Sequence, residues 1–322
     1  MTKLIIQIPC YNEADSLPFT LTELPRKMEG FDQVEWLIID DGSTDKTIEV
    51  AKTLGVDHIV RLTKNQGLAK AFMAGLDASL KLGADVIVNT DGDNQYSAKD
   101  IPKLVKPILE RHAEIVIGAR SINHIEHFSF LKKRLHQLGS SFIRFISRTE
   151  VPDAPSGFRA MSKEAAMKMN VFNDYTYTLE TLIQAGQKNM AILSVPITVN
   201  KDLRPSRLIK SIPSYIFKSL TTILRIFVVY KPFRFFFTIG LILFGFGFLI
   251  GLRFLYYYFT TGGAGHIQSL ILAAILFGMG VQTILVAFLA DLLSVNRKLM
   301  EDTQYRLRKM EYEGRDNLHR TP

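Results

Sequence analysis

Cysteine is almost absent from this 322-residue chain: Cys10 stands alone, so no internal disulfide can form and a reducing compartment suits the sequence. Tryptophan is equally scarce, with Trp36 the single example. The N-terminus, Met1-Thr2-Lys3-Leu4, enters a strand-like run containing Pro9 without a cleavable signal pattern, which predicts that the first domain is not exported. Several chemistries are missing too. The first strand-to-helix turn, Pro9 to Glu13, has no glycine, which excludes the G-x-G-x-x-G dinucleotide fingerprint. No P-loop, H-E-x-x-H or cysteine metal cluster occurs. An EF-hand beginning at Asp91 fails, because Tyr96 stands where glycine is needed and Pro102 where the bidentate glutamate belongs.

Acidic residues are the minority, 31 against 39 Lys and Arg, and the excess is local. Between Lys201 and Arg234, eight basic residues face Asp202 alone. This stretch lacks the spread of a nucleic-acid surface and runs straight into apolar sequence, so nucleic acid is excluded and a lipid bilayer is the expected partner. From Leu208 to Tyr230, Lys210, Ser214, Lys218, Thr221 and Arg225 recur at steps of three and four opposite an apolar face, the pattern of a basic interfacial helix. Phe235 to Leu252 then gives 18 residues without a charge, and Ile267 to Ala290 gives 24 more. Both are long enough to span a bilayer. Lys231 and Arg234 precede the first and Arg297 and Lys298 follow the second, while the connecting residues 260–266 carry neither Lys nor Arg. The positive-inside rule predicts a multi-pass protein of the cytoplasmic membrane with both termini cytosolic. Arg253, beside three tyrosines, reads as a snorkelling cation. Gly245, Gly247 and Gly251 read as sites of close helix packing and permit a homo-oligomer.

The first 200 residues alternate apolar runs with amphipathic stretches. Leu4–Ile8, Trp36–Ile39, Val86–Val88 and Ile115–Ile117 have the composition of strands covered on both faces, and helical patterns lie near 16–28, 45–54, 67–82 and 101–110. The rhythm predicts an α/β domain with a mainly parallel, doubly wound, Rossmann-like sheet and a ligand site beyond the carboxyl ends of its strands. Those ends carry the polar groups Pro9-Cys10-Tyr11-Asn12-Glu13, Asp40-Asp41-Gly42-Ser43, Asp91-Gly92-Asp93 and Gly118-Ala119-Arg120.

The stretch Asn89 to Ser97 reads N-T-D-G-D-N-Q-Y-S. On an extended backbone Asp91, Asp93 and Gln95 share a face, with the carboxylates roughly 6.6 Å apart. Two carboxylates and an amide oxygen suit Mg2+ or Mn2+, although Asp-Gly is also a common turn pair.

Ile8–Glu13, Asp40-Asp41-Gly42-Ser43-Thr44-Asp45-Lys46-Thr47, Asn65-Gln66-Gly67 and Asp91–Gln95, in this order and spacing, resemble the family 2 glycosyltransferases with their GT-A fold. Gly118-Ala119-Arg120, Arg134 and Asp153–Arg159 are similar to the polyprenyl-phosphate glycosyltransferase and dolichyl-phosphate mannose synthase branch. The resemblance covers roughly residues 3 to 208. It implies that Pro9, Tyr11, Asn12 and Glu13 line the nucleoside pocket and that Asp40, with Asp41, meets the base. It further implies Asp91, Asp93 and Gln95 as metal ligands, and Arg120 and Arg134 as the receivers of a lipid phosphate. Plainer alternatives stand beside some of these: Asp45 as a helix cap, Asp153 as a turn residue, Arg134 as part of a basic solvated face with Lys132 and Lys133. Where that branch commonly has Arg-x-x-Gly-x-Ser-Lys, this chain has Lys201-Asp202-Leu203-Arg204-Pro205-Ser206-Arg207, so Lys201, Arg204 and Arg207 compete as the cation on the diphosphate.

The expected organisation is a cytosolic GT-A domain over 1–207, a basic interface helix over 208–231, a two-helix hairpin over 232–293 (spans near 233–259 and 267–290) and a charged, solvated tail over 294–322. The expected reaction is inverting transfer of one hexose from a UDP- or GDP-linked sugar to a polyprenyl phosphate. The alternatives are a hydroxyl acceptor on another membrane lipid or glycan, and a non-catalytic sugar-nucleotide-binding subunit. Membrane polysaccharide synthases of this fold usually carry Gln-x-x-Arg-Trp near the membrane; Trp36 lies in a strand, so the motif is absent.

Overall fold

The computed structural model describes residues 2–120, 144, 149–171, 177–200, 221, 224–225, 227–262 and 265–318. Arg134, Lys201, Arg204, Arg207 and most of 208–231 lie outside the described residues.

Seven strands form one sheet: β1 (Lys3–Cys10), β2 (Gln33–Asp40), β3 (His58–Arg61), β4 (Val86–Asn89), β5 (Ile115–Arg120), β6 (Arg159–Ser162) and β7 (Ile192–Ile197). Their order is β3-β2-β1-β4-β6-β5-β7, with β6 antiparallel to both neighbours and every other pair parallel. The expected mainly parallel sheet is therefore present. Four strands coincide with the apolar runs. The sequence reading missed β3, which is short and half-buried, and β6, which opens on the charged Arg159. It also missed β7, which carries Pro196 on an edge where a missing N–H is tolerated.

Helices α1 (Leu17–Glu23), α2 (Thr47–Thr53), α3 (Leu68–Lys81) and α4 (Ile101–Leu109) follow the first four predicted patterns, and the shorter α5 (Lys163–Lys168) and α6 (Thr178–Gln187) complete the layers. On one face of the sheet Leu4, Ile6, Ile8, Ile38, Val86 and Val88 pack with Leu17 and Leu21 of α1 and Leu104 and Ile108 of α4. Each such side chain contributes about 1.5–3 kcal/mol on burial. On the other face α3 crosses so closely that a Cβ on Gly75 would stand 2.8 Å from Ile39 Cδ1. The chain turns to opposite sides of the sheet between β1 and β4, which creates the crevice where a doubly wound sheet binds ligands. Pro9 sits at its lip. Its β1 neighbours bond alternately to β2 and β4, and the β4 pairing stops at Gln7–Asn89, so the proline interrupts no ladder bond.

Residues Lys218–Thr303 form a second unit. Helices α7 (Pro232–Thr261) and α8 (Ile267–Leu318) are long and apolar enough to cross a membrane. Leu249, Phe259 and Leu285 are each at least 60% exposed, an arrangement that suits lipid rather than water. Gly262, with φ of 73°, closes α7 through its N–H on Tyr258 O. The helices meet at Gly240, Gly247 and Gly280, where added Cβ atoms would lie 2.6–2.8 Å from the opposite helix. Gly247 thus packs as expected, whereas Gly245 and Gly251 have no atom within 4 Å of such a Cβ. Arg253 is exposed, its guanidinium 5.7 Å from the Tyr257 ring.

The tail departs from expectation. Residues from Gln304 onward group with the sheet domain. Tyr312 is 2% exposed and donates to Asp77 Oδ1 on α3 at 2.8 Å. Arg308 donates to Met167 O and Met169 O, satisfying carbonyls at the end of α5. A solvated tail would make neither contact. Arg308→Ala is expected to cost about 1–2 kcal/mol, the worth of charge-assisted hydrogen bonds. Thermal unfolding of the detergent-solubilised protein measures it, and an unchanged midpoint would contradict the docking.

Candidate active site

Three loops at the carboxyl ends of β1, β2 and β3 are stitched into one surface. Asn12 adopts φ of 55°, donates its N–H to Ser43 Oγ at 2.9 Å and accepts Thr44 N–H on Oδ1 at 2.8 Å. Asp41 accepts Gln66 N–H at 2.7 Å and Gly67 N–H at 2.9 Å, one on each oxygen. Gly42 between them is required twice: its φ is 72°, and a Cβ would lie 2.6 Å from the Lys64 carbonyl carbon. Asn12 and Asp41, expected from the sequence to contact substrate, also spend these polar atoms on bonds that brace the loops. Asp45, one residue before the N-cap Lys46 of α2, accepts Thr47 N–H at 3.0 Å and Ala14 N–H at 3.1 Å, bracing the helix start against the β1 loop.

Asp40 is different. It is fully buried, and Oδ1 accepts Ser43 N–H at 3.1 Å. Arg61 Nε lies 3.6 Å from Oδ2, yet that oxygen accepts no hydrogen bond among the described residues. A buried carboxylate oxygen without a donor is costly unless a ligand supplies one. Tyr11 is 40% exposed nearby, and Glu13 is buried with Oε2 2.6 Å from Ser16 Oγ. Burial first, then Glu13, Asp40 and Asp91, push the Cys10 thiol well above its ordinary value, so it is no nucleophile.

The Asp91–Asp93 stretch does not continue the strand. β4 ends at Asn89, residues 92–93 turn, and Asn94 takes φ of 57°. The shared-face argument for an extended segment thus fails, but the carboxylates remain neighbours. Burial, and then the Asp93 charge, push the Asp91 carboxyl up to about 7, against the opposing pull of Arg120 and Arg159. Asp93 Oδ1 accepts Gln95 N–H at 3.2 Å, and Gln95 O accepts Asn200 N–H at 2.9 Å. Gly157 leaves room over Asp91, for a Cβ there would sit 3.2 and 3.3 Å from its two oxygens. Among the described residues no group of three or more His, Cys, Asp or Glu could hold a metal. The donor set of two carboxylates and one amide still fits a hard divalent ion, which takes water and phosphate oxygens in its other positions.

Below the turn, Asn89 is clamped between strands. Its Oδ1 accepts Gln7 Nε2 at 2.9 Å, and its Nδ2 lies 3.0 Å from Gly157 O and 2.8 Å from Tyr177 Oη. Tyr177 stacks on Phe72, and Tyr96 Oη accepts Gly157 N–H. Arg159, 1% exposed, donates to Thr181 Oγ1, Thr178 O and Ser156 O. Arg120 donates from Nε to Asp153 Oδ2 at 2.7 Å and from Nη2 to Oδ1 at 3.0 Å. This fork, on a fully buried Asp153, holds the part-buried Arg120 in place, so Asp153 is more than a turn residue. Asn89, Arg159 and Tyr177 received no individual role from the sequence; a polar residue closing a fully buried strand was the available signal for Asn89.

Residues 5–169 match the family model described as glycosyl transferase family 2, which is half of the chain. The chain belongs to that family and is a glycosyltransferase with a GT-A fold. It is similar to a UDP-N-acetylglucosamine–dolichyl-phosphate N-acetylglucosaminyltransferase from Methanococcus voltae, 31% identical over 59% of this chain and 82% of that one. An undecaprenyl-phosphate mannosyltransferase from Micrococcus luteus is 27% identical over 64% of this chain and 87% of its own. Glucosyl-3-phosphoglycerate synthase from Mycobacterium tuberculosis, solved with Mn2+, uridine diphosphate and phosphoglyceric acid, superimposes with a TM-score of 0.54. It shares 19% identity over 69% of this chain and 78% of that one, a likeness of fold.

Because Arg120 and Asp153 are a buried pair, Asp153→Asn should destabilise the catalytic domain by about 3 kcal/mol through an uncompensated guanidinium. Unfolding of the purified variant measures the loss, and wild-type stability would show that the pair is not formed.

Proposed function

We propose that the protein transfers one hexose from a nucleotide-diphosphate sugar to a membrane polyprenyl phosphate, with inversion, at the cytoplasmic face of the membrane and with Mg2+ or Mn2+. The observation that carries this reading is the meeting, in one crevice, of the Asp91-Gly92-Asp93 turn with a buried Asp40 oxygen that accepts no hydrogen bond among the described residues. They suit the two ends of one nucleotide. Asp40 accepts an N–H from the base, and either N3–H of uracil or N1–H of guanine satisfies it, so UDP- and GDP-linked donors both fit. Pro9, Tyr11 and Glu13 line the nucleoside pocket. Asp91, Asp93 and Gln95 hold the divalent ion, which when bound neutralises the departing diphosphate. Lys201 and Arg204 are the candidate cations on that diphosphate.

The acceptor follows from its own chemistry. A lipid phosphate has a second pKa of roughly 6 and attacks without a general base. It needs positioning instead. Arg120, its fork fixed by Asp153, orients the phosphate opposite the departing nucleotide, and Arg134 adds the second cation. In-line attack on the anomeric carbon inverts it. The lipid acceptor is supported by two apolar helices and by relatives named for undecaprenyl and dolichyl phosphate. Lys231 before α7 and Arg234 in its first turn, with Arg297 and Lys298 on α8, argue for cytosolic termini.

The purified full chain, given labelled UDP-glucose, UDP-N-acetylglucosamine or GDP-mannose with undecaprenyl phosphate, is expected to label the lipid phosphate from one donor. EDTA should abolish the reaction and Mn2+ or Mg2+ restore it. Asp91→Ala should lower kcat/KM by about 10³-fold, the scale of losing a main electrostatic stabiliser. Wild-type turnover by that variant, or label appearing only on a hydroxyl acceptor, would sink the assignment.

A further inference from the structure

The peptide linking the two metal-binding carboxylates is gripped from outside the turn. Gly92 O lies 2.9 Å from Ser16 Oγ and 3.1 Å from Thr20 Oγ1. Ser16, at the start of α1, and Thr20 stand four residues apart on one helix face, and both are buried, at 5% and 3% exposure. Thr20 has an alternative acceptor one turn back in its own helix, Ser16 O, but at 3.5 Å it is the longer contact. The threonine hydroxyl is therefore turned toward Gly92. Ser16 has one proton for three acceptors, Glu13 Oε2 at 2.6 Å, Gly92 O at 2.9 Å and Glu13 O at 3.4 Å. Thr20 keeps the carbonyl satisfied when Ser16 serves Glu13. On the other side of the turn, a Cβ on Gly92 would come within 3.0 Å of Cys10 Sγ, so the peptide cannot slide toward β1.

We infer that Ser16 and Thr20 are positioning residues for the divalent ion: they lock the Gly92 peptide and so set the direction of the Asp91 and Asp93 carboxylates. The inference rests on the metal-dependent reading above. Rotation about the Gly92 peptide swings the flanking side chains apart, and among the described residues no third carboxylate joins the donor set to compensate. Both hydroxyls face Gly92 O, so they would act on the ion only through the turn. Glu23, the next turn of α1, extends the same hold, accepting Asn94 Nδ2 at 3.4 Å and Asn200 Nδ2 at 3.3 Å. Helix α1 itself is anchored independently by Leu17 and Leu21 in the core, so the hydroxyls can be removed without removing the helix.

The test is Mn2+ titration of the full-length protein in detergent, with free Mn2+ counted by electron paramagnetic resonance. Thermal midpoints are measured alongside. The double variant Ser16→Ala with Thr20→Val is expected to weaken Mn2+ binding about 10-fold or more, as loss of groups that orient metal ligands does elsewhere. Thr20→Ser, which keeps the hydroxyl, should bind as wild type, and Asp91→Ala should abolish binding. Wild-type affinity in the double variant, with binding lost in Asp91→Ala, overturns the inference and leaves the metal reading intact. Mn2+ affinity unchanged by Asp91→Ala overturns both. Should the double variant unfold, Thr20→Val against Thr20→Ser makes the same comparison, and equal affinities count against the inference.

Discussion

A single buried amide, Asn89, holds the centre of this site together. Its side chain spans from Gln7 on β1 to Gly157 and Tyr177, groups far apart in sequence, and every one of those contacts is shielded from water. In such surroundings a lost partner leaves a polar group unsatisfied, at a cost of about 1–3 kcal/mol. The three elements are therefore fixed to one another, and Asp91, two residues beyond Asn89, is carried to a defined place under Gly157. The crevice at the sheet's reversal supplies the space; Asn89 supplies the alignment.

Charge is distributed around that alignment with a purpose visible in the pairing. Arg120 could have neutralised Asp91 but is occupied by Asp153, and Arg159 is occupied by main-chain carbonyls and Thr181. Both cations favour the charged form of Asp91, and neither spends on it the hydrogen bonds that hold the arginines in place. Burial and the neighbouring Asp93 charge disfavour the ionised form of Asp91, and a divalent cation held by both carboxylates would offset both effects. Asp40 lies at the other end of the crevice, where one oxygen is held by backbone and the other, 3.6 Å from Arg61 Nε, accepts no hydrogen bond among the described residues.

Much of this was legible in the residues. The strands β1, β2, β4 and β5 are continuous apolar runs because both faces of the sheet are covered, and burial writes itself into composition. β6 was not legible, since its first residue is an arginine whose donors are met by Thr178 and Thr181 arriving from α6 together with Ser156 O. Asn12 and Asp41 lie in loops that carry chemistry, and sequence alone could not tell a ligand from a brace; their partners, Thr44, Gln66 and Gly67, belong to other loops. Arg308 and Tyr312 looked like members of a solvated helix because the surface they dock on is formed by α3 and α5.

By itself the sequence determined the mainly parallel sheet, the two apolar helices and the set of acidic and basic residues available at the strand ends. Those are properties of neighbouring residues, set by hydrophobic period, turn chemistry and charge. Tertiary structure alone decided which polar atoms are already bonded and which still await a partner. The hydroxyls that grip Gly92 come from residues 76 and 72 positions away, and the backbone N–H groups that occupy Asp41 from 25 and 26. Hydrogen bonds fall off within a few tenths of an ångström, so their assignment waits until the chain has closed those distances.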